Sequence, residues 1–202
     1  MKTKRREQGF SLIESMVVVA IIFIVMAYAI FQGQGSLSAY KANAAQDVVF
    51  CQLRVARELA ISQRRIVYLW IDQTFSGHGG TQQIKYQVQK ADSTSSDVAG
   101  PIVAVPIANP AQFVLETNVP DTPMAFGNAS AVFIGNTSGG PPVMQFNPTG
   151  TFTDSTGSNL LNGTIFIGVP SQVGTARAVT IMGGTGRVRE YTWNGGSIGW
   201  RE

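Results

Sequence analysis

The feature that most constrains this sequence is an almost entirely apolar run of 22 residues, from Phe10 to Phe31. A run of this length suits a bilayer-spanning helix, which takes about 20 residues. It contains one carboxylate, Glu14, and a charge inside hydrocarbon costs about 2.5–3.5 kcal/mol on insertion scales. The sequence therefore predicts a membrane helix in which the charge of Glu14 has a function.

A short basic segment precedes the run and fixes its orientation. Its four cations are Lys2, Lys4, Arg5 and Arg6. Positive charge stays in the cytoplasm, so we expect a single-pass membrane protein with a cytoplasmic N-terminus and the rest of the chain across the membrane. A secretory signal peptide would have an apolar region of about 7–15 residues followed by a small-residue cleavage site. Here the run is longer, and the small residue beside it, Gly9, comes before it.

The segment "GFSLIE", together with the basic leader and the long apolar helix, resembles the N-terminus of type IV prepilins. The resemblance implies that a prepilin peptidase cuts after Gly9, on the cytoplasmic side, and methylates the new N-terminal Phe10. It also implies that the helix is kept and that the partners are other pilin or pseudopilin subunits. Residues 1–9 are accordingly predicted to be a cleaved leader, and residues 10–31 a transmembrane and filament-core helix.

Glu14 is the assembly residue in this interpretation. Cleavage would give Phe10 a free amine, which is cationic below a pKa of about 7.7–8.0, and removing one partner of a buried charge pair leaves the other uncompensated. Residues 10 and 14 of one chain lie one helical turn apart, while the resemblance implies a pair between neighbouring subunits that sets the filament register. The alternative is that Glu14 reaches the headgroup region and has no special role.

Residues 32–65 are predicted to continue the helix as an amphipathic segment, after a looser or bent point at "QGQGS". One face is expected to pack on a domain, and Cys51 is expected to be buried in it. That predicted stripe consists of Leu37, Tyr40, Ala44, Val48, Cys51, Val55, Leu59 and Ser62.

Residues 66–202 are predicted to form a β-rich periplasmic domain, because the apolar period changes from 3.6 to 2 at "IVYLWID". The order of one long helix followed only by strands predicts an α+β fold, with the helix packed on an antiparallel sheet or sandwich. A first hairpin joins residues 67–71 to 84–90. Further strands are predicted at residues 112–116, 131–134, 143–146, 163–169, 176–182 and 186–193, and "GGTGR" is predicted to be a tight turn.

The composition offers little for catalysis. The chain has one cysteine and one histidine, His78 in a glycine-rich loop, so no metal site or cofactor is expected. "GGTGR" lacks the lysine and the following helix of a phosphate-binding loop. We therefore predict that the chain is not an enzyme. Cleavage after Gly9 would lower Lys+Arg from 15 to 11 and Asp+Glu from 12 to 11, which leaves the mature chain formally neutral.

A second resemblance narrows the family. "CQLRVARELAISQRRIVYLWID", "FNPTGTFT" and "GGTGRVREYTW" are similar to the helix–strand junction and late strands of minor pseudopilins of the GspH/FimT type. It implies a minor subunit of a type II secretion pseudopilus, active in protein secretion, or of a type IV pilus. The alternative is a DNA-binding minor pilin for DNA uptake, in which Arg187 and Arg189 on one strand face contact successive phosphates.

Overall fold

The structure is a computed structural model that describes residues 11–73, 82–89, 100–121, 123–124, 127–135, 144–196 and 199–202, with the side chains of residues 30–34 excepted. A single long helix, α1 (Leu12–Gln63), precedes all of the strands. The predicted α+β class is confirmed. The chain divides into two compact units, Met1–Leu37 and Ser38–Glu202. The finer boundaries given above stay predictions.

The N-terminal unit contributes the first part of α1. Leu12–Ala29 is long and apolar enough to cross a membrane, and none of it is buried. Phe23 is 67% exposed and Ile24 is 70% exposed. A contiguous apolar surface of this kind marks a membrane or protein contact, because water would penalise it.

Among its described residues, the C-terminal unit contains two five-stranded sheets in which every pairing is antiparallel. One sheet has the order β3-β2-β1-β5-β6, and the other has the order β10-β9-β8-β7-β4. The strands are β1 (Val67–Asp72), β2 (Gln83–Val88), β3 (Val103–Pro106), β4 (Val132–Ile134), β5 (Met144–Phe146), β6 (Phe152–Asp154), β7 (Gly163–Ile167), β8 (Arg177–Met182), β9 (Arg187–Trp193) and β10 (Trp200–Arg201).

The largest buried cluster joins the second part of α1 to side chains from both sheets. Two buried or half-buried polar residues add directed bonds. Gln46 Nε2 donates to the carbonyl oxygens of Ala178 and Tyr191, each at 3.1 Å, and Arg177 Nε donates to Asn43 Oδ1 at 2.6 Å. These bonds fix the rotation of the helix over β8 and β9, because buried polar groups are costly when they are left unpaired.

The predicted packing face of α1 is only partly correct, because Val48 and Leu59 of the predicted stripe pack against the core while other members are exposed. Among the predicted residues, Tyr40 is 68% exposed and Val55 is 41% exposed. The residues that pack follow the predicted ones by about one position along the chain, which rotates the packing face by about 100° around the helix axis. This face is rich in alanine. Small side chains allow a helix backbone to approach a sheet closely, and the larger Val49 and Leu53 are fully buried on the same face. The buried residues are Ala42, Ala45, Gln46, Val49, Leu53, Ala56 and Ala60.

Cys51, which was expected to be buried, is exposed on α1. We predict that a maleimide reagent labels the native protein in detergent about as fast as the protein unfolded in urea. The signal is specific because the chain has no other cysteine. Labelling that required denaturation would instead support the packing face predicted from the sequence.

Most strand predictions are confirmed, including the β1–β2 hairpin, in which Val67 pairs with Val88. The prediction for residues 112–116 is wrong, since only an isolated bridge from Gln112 to Gly168 forms there. Three strands were not predicted: β3, β6 and β10. His78 lies outside the described residues.

Candidate functional site

Glu14 lies in the first turn of α1, on an exposed surface. The backbone N–H of Glu14 donates to the Ser11 carbonyl at 3.0 Å, so the helix hydrogen bonds begin there. The positive end of a helix dipole favours a carboxylate in the first turn. Gly9 and Phe10, the predicted cleavage and methylation residues, lie outside the described residues.

Residues 4–30 match a family model described as the prokaryotic N-terminal methylation motif. The chain has a type IV pilin-like prepilin N-terminus. Gly9, Phe10 and Glu14 all lie within the matched residues of this prepilin-like segment, which also includes the exposed apolar part of α1 up to Ala29. The motif and the unburied apolar helix together support membrane anchoring through the N-terminus.

Comparison with curated proteins and with solved structures gives no significant similarity. Assignment to the GspH/FimT type stays a prediction based on the three segments of the sequence that suggested it.

Arg187 and Arg189, the candidate DNA-binding residues, have different surroundings. Arg187 is exposed at the start of β9, whereas Arg189 Nη1 forms an ion pair with Glu202 Oε2 at 2.9 Å. A hydrogen bond with Tyr191 and the charge of Glu202 raise the pKa of the Arg189 guanidinium. Arg189 is thus already partnered within the chain.

Arg177, on the neighbouring strand β8, does not add to a basic surface beside Arg187 and Arg189, because it is only 6% exposed. Its Nη1 donates to the Ala176 carbonyl at 2.9 Å, in addition to its bond with Asn43. Burial lowers the pKa of its guanidinium. Arg177 serves to hold α1 against β8.

Glu190 lies on the opposite face of β9 from Arg189, as alternation along a strand requires. Its Oε1 atom is buried and has no hydrogen-bond partner among the described residues. Burial, followed by the nearby charge of Asp47, raises the pKa of Glu190, and Arg54 acts in the opposite direction. The surface around β9 therefore contains acidic as well as basic groups.

Sequence reasoning missed two arginines of α1, Arg54 and Arg57, which lie beside Arg187 around one cleft. Their spacing of three residues was the available signal, because residues i and i+3 are neighbours on a helix surface. The turn before β9 was predicted, but the sequence could not show that it packs beside these two arginines and completes the cleft.

Among the described residues, no group of three or more His, Cys, Asp and Glu side chains is arranged to hold a metal ion.

Proposed function

We propose that the chain is a minor pilin or pseudopilin, a structural subunit of a type II secretion pseudopilus or of a type IV pilus. Prepilin peptidase cleaves it after Gly9 and methylates Phe10. The mature subunit stays in the inner membrane through residues 10–31, with residues 66–202 in the periplasm, until it joins a filament.

The observation that carries this proposal is the coincidence of the methylation motif with an unburied apolar helix. Residues 4–30 match the motif, and Leu12–Ala29 has no buried residue. A cleaved signal peptide needs no long surface for later contacts, whereas a filament subunit exchanges lipid contacts for contacts with neighbouring helices. The methylation-motif family is structural, and the proposal accordingly assigns no catalytic residue to this chain.

Processing is tested by intact-mass measurement of the protein extracted from membranes of cells that contain prepilin peptidase. We expect the mature form to lack residues 1–9 and to carry the mass of one additional methyl group. A Gly9→Val variant is the matched control, and it should keep the leader, because a branched side chain at the cleavage position hinders approach of the peptidase to the backbone. A parent protein that retains Met1 to Gly9 would contradict the proposal.

DNA uptake through Arg187 and Arg189 is less well supported than a structural role. Arg189 is paired with Glu202, and Arg177 is buried against Asn43. Arg187 then remains as the exposed cation of that strand face, and one phosphate contact gives weak binding that falls with added salt.

A further inference from the structure

A cleft of about 440 Å³ lies in the C-terminal unit, between α1 and the turn that leads into β9. Three of its lining side chains are arginines and one is a carboxylate. Its walls are formed by Phe50, Arg54, Arg57 and Glu58 of the helix and by residues 185–188 of the turn and strand. The cleft therefore combines excess positive charge with an apolar surface.

Arg57 is the positioning residue of this cleft. Its Nε atom donates to the Gly150 carbonyl at 3.2 Å, and its Nη2 atom donates to the Thr185 carbonyl at 3.1 Å. Its contact with the Glu58 carboxylate is longer, at 3.8 Å. Arg57 thus hydrogen-bonds two separate turns to the helix, which holds the helix side and the turn side of the cleft in place.

Arg54 and Arg187 are the two open cations of the cleft. The Arg54 guanidinium lies over the Phe50 ring, 5.3 Å from its centroid, which holds the group in place by a cation–π contact. Arg187 is exposed at the cleft margin. Neither takes part in the salt bridges found among the described residues, which are Arg57–Glu58, Lys85–Asp72 and Arg189–Glu202.

We propose that this cleft binds an acidic side chain of another protein subunit, with Arg54 and Arg187 holding its carboxylate. Planar guanidinium groups match a carboxylate through paired hydrogen bonds. Phe50 and Val188 offer apolar surface to the methylene groups of an aspartate or glutamate. That the partner is a pilin-like subunit rests on the function proposed above.

The acidic groups around the cleft favour a protein carboxylate over a nucleic acid. Glu58 lines the cleft, and Glu190 lies close enough to both Asp47 and Arg54 to interact electrostatically with each of them. A duplex carries one negative charge about every 1.7 Å, so it would place phosphates against these carboxylates. A single acidic side chain brings one negative charge in place of a row of phosphates, so the repulsion that it meets is smaller.

The test is binding of a fluorescein-labelled hexaglutamate peptide to the whole chain in detergent micelles at low salt, followed by fluorescence anisotropy. In every sample Lys2, Lys4, Arg5 and Arg6 are replaced with glutamine, so that the leader adds no basic site and processing does not affect the result. Arg54→Gln and Arg187→Gln should each weaken binding about fivefold, the upper range for solvent-exposed ion pairs.

The matched control is Arg201→Gln, which removes an exposed arginine of β10 that is not part of the cleft. It should bind hexaglutamate like the parent, and hexaglutamine should bind to none of the proteins. Inorganic phosphate and a 20-base-pair duplex are compared as competitors and should displace the peptide poorly.

Three results would overturn the proposal. They are equal binding by the parent and the Arg54→Gln/Arg187→Gln double variant, an equal loss in Arg201→Gln, and duplex binding that is tighter than hexaglutamate binding and depends on the same two arginines. The last result would identify a nucleic-acid site instead. None of them bears on cleavage after Gly9, so this proposal and the proposed function fail separately.

Discussion

Replacing Gly186 with valine is expected to lower the free energy of unfolding by about 3 kcal/mol or more. Gly186 has a φ angle of +60°, which β-branched residues rarely adopt. A Cβ atom there would lie 1.9 Å from the Gly150 carbonyl oxygen and 2.9 Å from Arg57 Nε. The oxygen has little freedom to move, because Arg57 donates a hydrogen bond to it.

The matched control is Gly184→Val in the same turn. A Cβ atom at Gly184 would find its nearest neighbour, the Leu160 Cδ1 atom, 4.0 Å away. We expect this control to change stability by well under half as much as Gly186→Val. Urea unfolding of both variants in detergent, followed by tryptophan fluorescence, measures the difference. Equal losses would mean that the close approach of Gly186 to Gly150 is not needed for folding.

This packing also gives a structural reason for the glycine of "GRVR". Gly186 lets the turn before β9 approach the turn at Gly150, and Arg57 bonds to both turns. From the sequence alone, the segment suggested a phosphate contact through its two arginines. Its glycine is explained by contacts with residues far away in sequence, which no local pattern could reveal.

The strands missed from the sequence share one position in the fold. β3, β6 and β10 each lie at the edge of a sheet. Edge strands tolerate proline and turn-forming residues, because one side of the strand needs no ladder bonds. Pro106 of β3 illustrates this, since it pairs with Gln83 at the sheet margin. In contrast, β2 was predicted correctly, because Ile84 and Tyr86 are buried on one face while Lys85 between them is half-buried.

The membrane segment was predictable for a different reason. Its length, its composition and the motif beside it are all local in sequence, and a family model finds the same residues. The face of α1 that packs on the sheets depends instead on how closely two backbones approach. Ala45, Ala56 and Ala60 carry little hydrophobic signal, and they became identifiable only through their complete burial.

Replacing Glu14 with leucine is expected to leave membrane insertion and processing intact but to reduce assembly strongly. Insertion should improve slightly, because the substitution removes a charge from the apolar run. In the filament it would leave the Phe10 amine of a neighbouring subunit without its carboxylate, and breaking a buried pair in this way costs about 3–5 kcal/mol. Recovery of co-assembled pilin subunits should therefore fall by at least about 100-fold, since each 1.4 kcal/mol is a factor of about ten.

A Glu14→Gln variant separates charge from shape, because glutamine keeps the length and the polarity of the side chain but not its negative charge. It should assemble as poorly as Glu14→Leu if the charge pair sets the register of the subunits. The measurement is pull-down of the tagged mature protein from membranes, with mass spectrometry of the co-purified subunits and intact-mass confirmation that each variant was processed. If both variants recover the same partners as the parent, Glu14 only reaches the headgroup region. The apolar surface of Leu12–Ala29 would then have to set the register of the filament without help from the carboxylate.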